Sequence, residues 1–242
     1  MSYIFREHIK QSLAVIAFLI TLTACTSESY DAGDGPNSYL TADLVLLHTS
    51  QDKSVRSALL DDGTTLQFSN PFAQDWLTRP DSVYRALLYY DKTVAASDAA
   101  ASNPTATSIV RARSVRPVSV LRPVEAEDME TLRTDPVGFE SLWMSKNKSY
   151  INLSLLLKSG KTEADDALHA LGIVSHGTTT DADRRRTLHL TLYHDQGGVP
   201  AYYTVQQYVS IPTQLLEEAD TIELTLNTYN GKKVMKVAVS NL

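Results

Sequence analysis

The sequence predicts an all-β protein: an N-terminal OB-like barrel followed by a C-terminal antiparallel β-sandwich. Three observations predict it. Beyond Tyr39 the apolar residues come in short, alternating runs rich in β-branched side chains, turn residues separate those runs, and long stretches with a helical period are scarce.

The first 24 residues differ in kind and are expected to be removed. Met1 to Lys10 carries Arg6, His8 and Lys10, and the apolar run from Leu13 to Ile20 follows before Leu22-Thr23-Ala24-Cys25. This is the basic start, short apolar middle and small-residue cleavage site of a secretory signal. The run is about half the ~20 residues that span a bilayer as a helix. Leu22 to Cys25 resembles the bacterial lipobox, whose Cys becomes residue one of the mature chain. A thiol is required there because its sulfur takes a diacylglyceryl group before the new α-amine is acylated. Several acyl chains, at about 0.8 kcal/mol per buried CH₂, anchor stably where one is marginal. Cys25 is the sole cysteine, so the mature fold has no disulfide framework, Cys-ligated zinc or Cys nucleophile. Thr26, in place of Asp, predicts sorting to the outer membrane, on its periplasmic face or at the cell surface. Residues 25–37, which include Ser27 to Pro36 (SESYDAGDGP), read as a flexible tether.

The OB-like domain is assigned to residues 38–122. Ser38 to His48 forms a first strand, Lys53 to Leu60 a second, and Asp61-Asp62-Gly63 turns the chain into Thr64 to Phe68. Tyr84 to Tyr90 is a fourth strand, and Ser108 to Leu121 is a fifth, bent or placed at an edge by Pro117. Ala95 to Thr107 is a low-complexity loop. Five strands within about 85 residues suit a small closed barrel.

Residues 123–242 are assigned to the sandwich, entered through a linker with Pro123 and Glu125 to Asp128. Alternation places Ile151, Leu153, Leu155 and Leu157 on one strand face, then Leu188, Leu190 and Leu192, then Ile222, Leu224 and Leu226. Asn230-Gly231 predicts a type I′ hairpin into Lys233 to Val239. Leu215 to Ala219 is at most a short helical turn.

The 22 basic and 28 acidic residues leave a formal charge of −6, opposite to the excess of cations usual in nucleic-acid binders. No nucleic-acid partner is expected, although Arg111, Arg113, Arg116 and Arg122 with Tyr84, Tyr89 and Tyr90 are the residue types an OB barrel uses on such ligands. His169, His176, His189, His194 and Asp195 are metal-ligand types without ligand spacing, since His189 and His194 point to opposite faces of one strand. The histidines read instead as surface or strand-end residues. No nucleophile elbow, phosphate loop or calcium loop is present. No catalytic residue, metal or cofactor is therefore assigned.

Tyr30-Asp31, Asp34-Gly35, Ser38 to Asp43, Asp61-Asp62-Gly63 and Tyr84 to Tyr90 follow the lipobox in an order that resembles the NigD-like lipoproteins. Asp135-Pro136, Ser141-Leu-Trp143, Tyr150 to Leu153, Leu192 to Asp195, Tyr208 to Pro212 and Asn227 to Gly231 extend the resemblance over the C-terminal half. It implies an OB-like domain before a β-sandwich. It also implies a link to bacteriocin immunity, drawn from the gene cluster that named the family, and it supplies no active-site residues. The expected function is thus that of a non-enzymatic envelope lipoprotein that binds a protein or glycan ligand and contacts the membrane through Cys25. The alternative is a glycan-processing accessory or envelope enzyme with its site between the domains, marked by His169, His189, His194 and Asp195 converging.

Overall fold

Alternation between β-branched, leucine and polar residues closes five strands into a barrel. The strands are β1 (Leu40–Thr49), β2 (Val55–Leu60), β3 (Thr65–Phe72), β4 (Val83–Lys92) and β5 (Ser108–Pro117), in the order β1-β2-β3-β5-β4. The β3–β5 pairing is parallel and the remaining ones are antiparallel, with β1 closing on β4. This computed structural model describes residues 40–92, 108–161, 168–216 and 219–239. The segments expected to be a leader (1–24, before Cys25), a tether (25–37) and a loop (95–107) lie outside the described residues. Inward residues of alternate positions, among them Val45, Leu47, Leu66, Ala86, Leu88 and Tyr90, fill the barrel.

Pro117 ends β5, and the chain re-enters extended structure at β6 (Ser119–Val120). It has by then left the barrel, for β6 pairs with β12 (Tyr203–Pro212) in a four-stranded sheet of order β6-β12-β9-β8, with β8 at Gly138–Met144 and β9 at Tyr150–Ser159. The expected linker carries a further strand, β7 (Pro123–Glu125), and a 3₁₀ turn at Ala126–Asp128. Strand β7 edges a five-stranded sheet of order β14-β13-β11-β10-β7, with β10 at Ala170–Thr180, β11 at Arg186–Asp195, β13 at Thr221–Thr228 and β14 at Gly231–Ala238. Most sandwich pairings are antiparallel, and three are parallel where the chain passes between sheets: β6–β12, β7–β10 and β11–β13.

Between the two sheets lies one apolar core that includes Ile151, Leu153, Leu155, Leu190, Leu192, Val209, Ile211, Ile222, Leu224 and Leu226. On β9, β11 and β13 these are residues that alternation assigned to inner faces. The last hairpin differs from the type I′ expectation. Thr228 pairs with Gly231, so Tyr229 and Asn230 form the loop, and Gly231 alone of the three has a positive φ, at 104°. A type I′ turn needs positive φ at both central residues. The backbone reversal is instead completed at the glycine, where no Cβ opposes it.

Candidate functional site

Along β4, Ala86, Leu88 and Tyr90 point into the barrel and Arg85, Leu87 and Tyr89 point out of it. An outward arginine is normally solvated, yet Arg85 is only 5% exposed. The outer face of the four-stranded sheet covers it. Arg85 Nη1 and Nη2 donate to Asp61 Oδ1 and Oδ2 at 2.5 and 2.7 Å, Nη2 also to Asn152 Oδ1 at 3.0 Å, and Nε to Ser210 Oγ at 3.1 Å. Ser210 Oγ donates to Asn152 Oδ1 at 2.7 Å, and Asn152 Nδ2 to Asp61 Oδ2 at 3.2 Å. The guanidinium lies 4.3 Å from the centre of the Tyr150 ring.

Four residues from the barrel and the sandwich thus form one closed network. Asn152 and Ser210 have no exposed surface. Desolvating an ion costs several kcal/mol, and here the bidentate carboxylate and two neutral acceptors offset that cost. Backbone bonds flank the lock, from Asn147 N to Asp61 O, Val118 N to Arg85 O and Leu121 N to Ser210 O. The junction is therefore bonded through side chains and backbone from both bodies.

A cleft of about 360 Å³ opens on one side of the lock. It is lined by Asp43, Asp61 and Asp62 from the barrel and by Trp143, Lys146 and Tyr208 from the sandwich. Trp143 and Tyr208 meet edge to face, with ring centres 6.3 Å apart. All three carboxylates are already engaged. Asp61 holds Arg85, Asp43 accepts from the Tyr90 hydroxyl at 2.8 Å, and Asp62 accepts from the Thr64 amide at 2.9 Å. The Thr64 amide lowers the pKa of Asp62. Burial, followed by the Asp43 carboxylate, raises the phenol of Tyr90 well above its ordinary range.

On another side of the junction, a groove of about 480 Å³ runs between barrel and sandwich. Leu87, Tyr89, Arg116 and Pro117 form one wall, and Val205 to Tyr208 form the other. Tyr208 lines both openings.

The remaining residues singled out in the sequence fall into separate places. His169 and His194 meet: their rings stack with centres 5.2 Å apart, and Nδ1 of His169 lies 2.9 Å from Nε2 of His194. Since His194 Nδ1 lies 3.0 Å from the Asp135 carbonyl, it carries the proton, so Nε2 accepts from His169. His169 Nε2 is left buried and without a partner. Burial, then the His194 ring, lowers the pKa of His169. His194 sits at the end of β11, one of the two positions expected of it, but it is 1% exposed and so not at the surface. His189 lies apart, bonded to Glu223 and to Thr179, His176 bonds Thr191, and Asp195 pairs with Arg133. The four groups that would have marked a catalytic cleft do not converge. Among the described residues, no set of three or more His, Cys, Asp or Glu side chains is placed to hold a metal ion.

The basic and aromatic set of the barrel is also dispersed. Tyr90 is in the core, Tyr84 packs edge to face on Trp76, Arg113 pairs with Asp91, and Arg116 lies 6.0 Å from the Tyr89 ring. Arg111 and Arg122 are exposed. No helix among the described residues is long and apolar enough to cross a membrane. Sequence reasoning missed the lock itself. Asp61 read as a turn residue and Arg85 as part of a strand, and only the outward phase of Arg85 on β4 hinted that something must cover it.

No protein among the curated sequences matches the chain. Several solved structures are similar to it. A NigD-like immunity protein from Bacteroides caccae is 23% identical with a TM-score of 0.59, the match covering 81% of this chain and 91% of that one. A protein of unknown function from Bacteroides vulgatus is 17% identical with a TM-score of 0.56, covering 82% and 90%. A lipoprotein candidate from Bacteroides fragilis is 13% identical, also at 0.56, covering 82% and 97%. At these identities the likeness establishes the fold. The family model of the NigD-like C-terminal beta sandwich domain matches residues 120–239, the segment that enters the sheets at β6 and leaves after β14. The chain belongs to the NigD-like family, with residues 120–239 as its C-terminal β-sandwich domain.

Proposed function

We propose that the protein is a non-catalytic lipoprotein of the outer membrane, held there by acylated Cys25, that works by binding another molecule at the junction of barrel and sandwich. The observation that carries this reading is the Arg85 lock. A buried arginine, hydrogen-bonded through each of its three guanidinium nitrogens, joins two β bodies beside a cleft and a groove whose walls come from both. Preformed concave surfaces of this size suit recognition. The carboxylates beside the cleft are engaged in structural bonds, which suits binding better than proton transfer. The family link and the B. caccae immunity protein suggest a bacteriocin or its target as the bound molecule.

Two experiments test this. Palmitate labelling of the full chain is expected, and it should vanish in Cys25→Ala. The thermal midpoint of the full chain should rise with a ligand class from a panel of toxin proteins, peptides and glycans, since ligand at 100 times its Kd adds about 2.7 kcal/mol. A midpoint unmoved across the panel contradicts the binding reading. Unchanged toxin sensitivity after gene deletion contradicts immunity. A glycan-binding accessory is the second reading, favoured by Trp143 and Tyr208 in the cleft. It predicts a glycan-induced shift that Trp143→Ala removes.

A further inference from the structure

The strands at the sheet edges are not equally defended. Strand β14 carries Lys232, Lys233 and Lys236, and β8 carries a bulge between Phe139 and Ser141 together with Glu140. Lysines, bulges and charges are the usual means of preventing pairing with a foreign strand. Strand β12 has none of these along Tyr203-Thr-Val-Gln-Gln-Tyr208, and Tyr202 before it is also uncharged. On one side, β12 pairs with β9 over its whole length. On the other, β6 covers only Val209 and Ser210.

The phase of the backbone follows from one bond. Ser210 O accepts from Leu121 N, so even-numbered residues of β12 turn their backbone groups toward β6. Thr204 and Gln206 turn theirs the same way, and no strand of the described residues lies opposite them. Tyr202, Tyr203 and Val205 are 78%, 50% and 36% exposed. The 480 Å³ groove borders this stretch of β12, and its only charged wall residue is Arg116. Among the described residues no carboxylate pairs with Arg116, whose nearby partner is the Tyr89 ring.

We infer that the open edge of β12 is a docking site for an extended, acidic peptide segment of a protein partner, which adds a strand in line with β6 and places a carboxylate against Arg116. Backbone hydrogen bonding to Thr204 and Gln206 selects an extended chain, because neither a helix nor a sugar presents a matching row of N–H and C=O groups. Arg116 selects negative charge. Leu87, Tyr89, Pro117 and Val205 supply apolar contact for alternate side chains. This rests on the binding reading above and names the class of partner.

The probe is a labelled peptide of about seven alternating Thr and Val residues with a central Glu, matched to a version with central Lys and to one N-methylated at alternate residues. Binding to the full chain in nanodiscs is measured by fluorescence anisotropy. The Glu peptide should bind about tenfold more tightly than the Lys peptide, and Arg116→Glu should invert that order. N-methylation should abolish binding. Thr204→Pro should also abolish it while leaving the thermal midpoint near that of the parent, because the lost N–H faces away from β9. Failure of the Glu peptide to bind at about 1 mM, or equal binding of the N-methylated peptide, overturns the proposal. Concentration-dependent dimerisation that Thr204→Pro removes, without peptide binding, assigns the edge to a second copy and overturns it too. A toxin or glycan shift that survives Thr204→Pro but not Trp143→Ala sinks this inference while sparing the broader binding reading.

Discussion

The two ends of β12 meet opposite fates. At its C-terminal end Val209, Ser210 and Ile211 are buried to 1% exposure or less, and at its N-terminal end Tyr203 and Val205 are open to solvent. Composition does not explain the contrast, because the buried end includes a serine and the open end a valine and a tyrosine. What lies opposite does. Ser210 is capped by β6 and bonded to Arg85 and Asn152, whereas no strand of the described residues flanks Thr204 and Gln206. Along β12, polar burial marks where the two β bodies are joined, and apolar exposure marks where a further strand fits.

The largest expected effect breaks the sealed end. Arg85→Met leaves Asp61 and Asn152 without their cation and should cost about 3–5 kcal/mol, a fall of roughly 6–20 °C in thermal midpoint. Adding Asp61→Leu should recover part of that loss, because removing both partners of a buried pair costs less than removing one. A double variant as unstable as the sum of the singles would show that the two do not interact.

Tyr90→Phe should cost about 1 kcal/mol through the lost bond to Asp43. Its pH signature is sharper. The folded-state pKa of Tyr90 is raised, so its contribution to stability is complete below the ordinary phenol value near 10 and is lost as pH rises beyond it. Denaturant midpoints measured between neutral and strongly alkaline pH should fall less steeply in Tyr90→Phe than in the parent.

His169 gives the opposite sign. Its folded pKa is lowered, so the unfolded chain binds the extra proton and stability declines as pH falls through the ordinary histidine value of 6.5. His169→Asn should flatten that acid-side slope in urea titrations. The smallest effect belongs to the open end: Val205→Thr should shift stability by no more than about 0.5 kcal/mol, as expected of a solvent-facing side chain.

The strands with one apolar face were easy to read in the sequence. On β9, β11 and β13 alternating leucines met the core as expected, because a period of two is all that such a strand must encode. Strand β12 was hidden for the reason that makes it interesting: its first half is exposed at every position, so the apolar–polar alternation of Tyr203-Thr-Val-Gln marks no buried face. Strands β6 and β7, at two and three residues, are too short to show a period, so β6 read as the end of the fifth barrel strand and β7 as a linker. The lock was illegible because its members lie far apart in the chain, Arg85 reaching Ser210 across 125 positions, and nothing local distinguishes an arginine facing water from one facing another sheet. The histidine pair was missed likewise, its rings brought together by strand register and not by spacing.

Native-state hydrogen exchange resolved along β12 tests the central claim most directly, because it reads both ends in one experiment. The amides of Thr204 and Gln206 should exchange rapidly, those of Val205, Gln207, Val209 and Ile211 should be protected through β9, and Arg85→Met should erode protection around Ser210 while leaving the open end unchanged. Equal protection of Thr204 and Gln206 with their neighbours, or an Arg85→Met variant with an intact Ser210 end, would contradict the account.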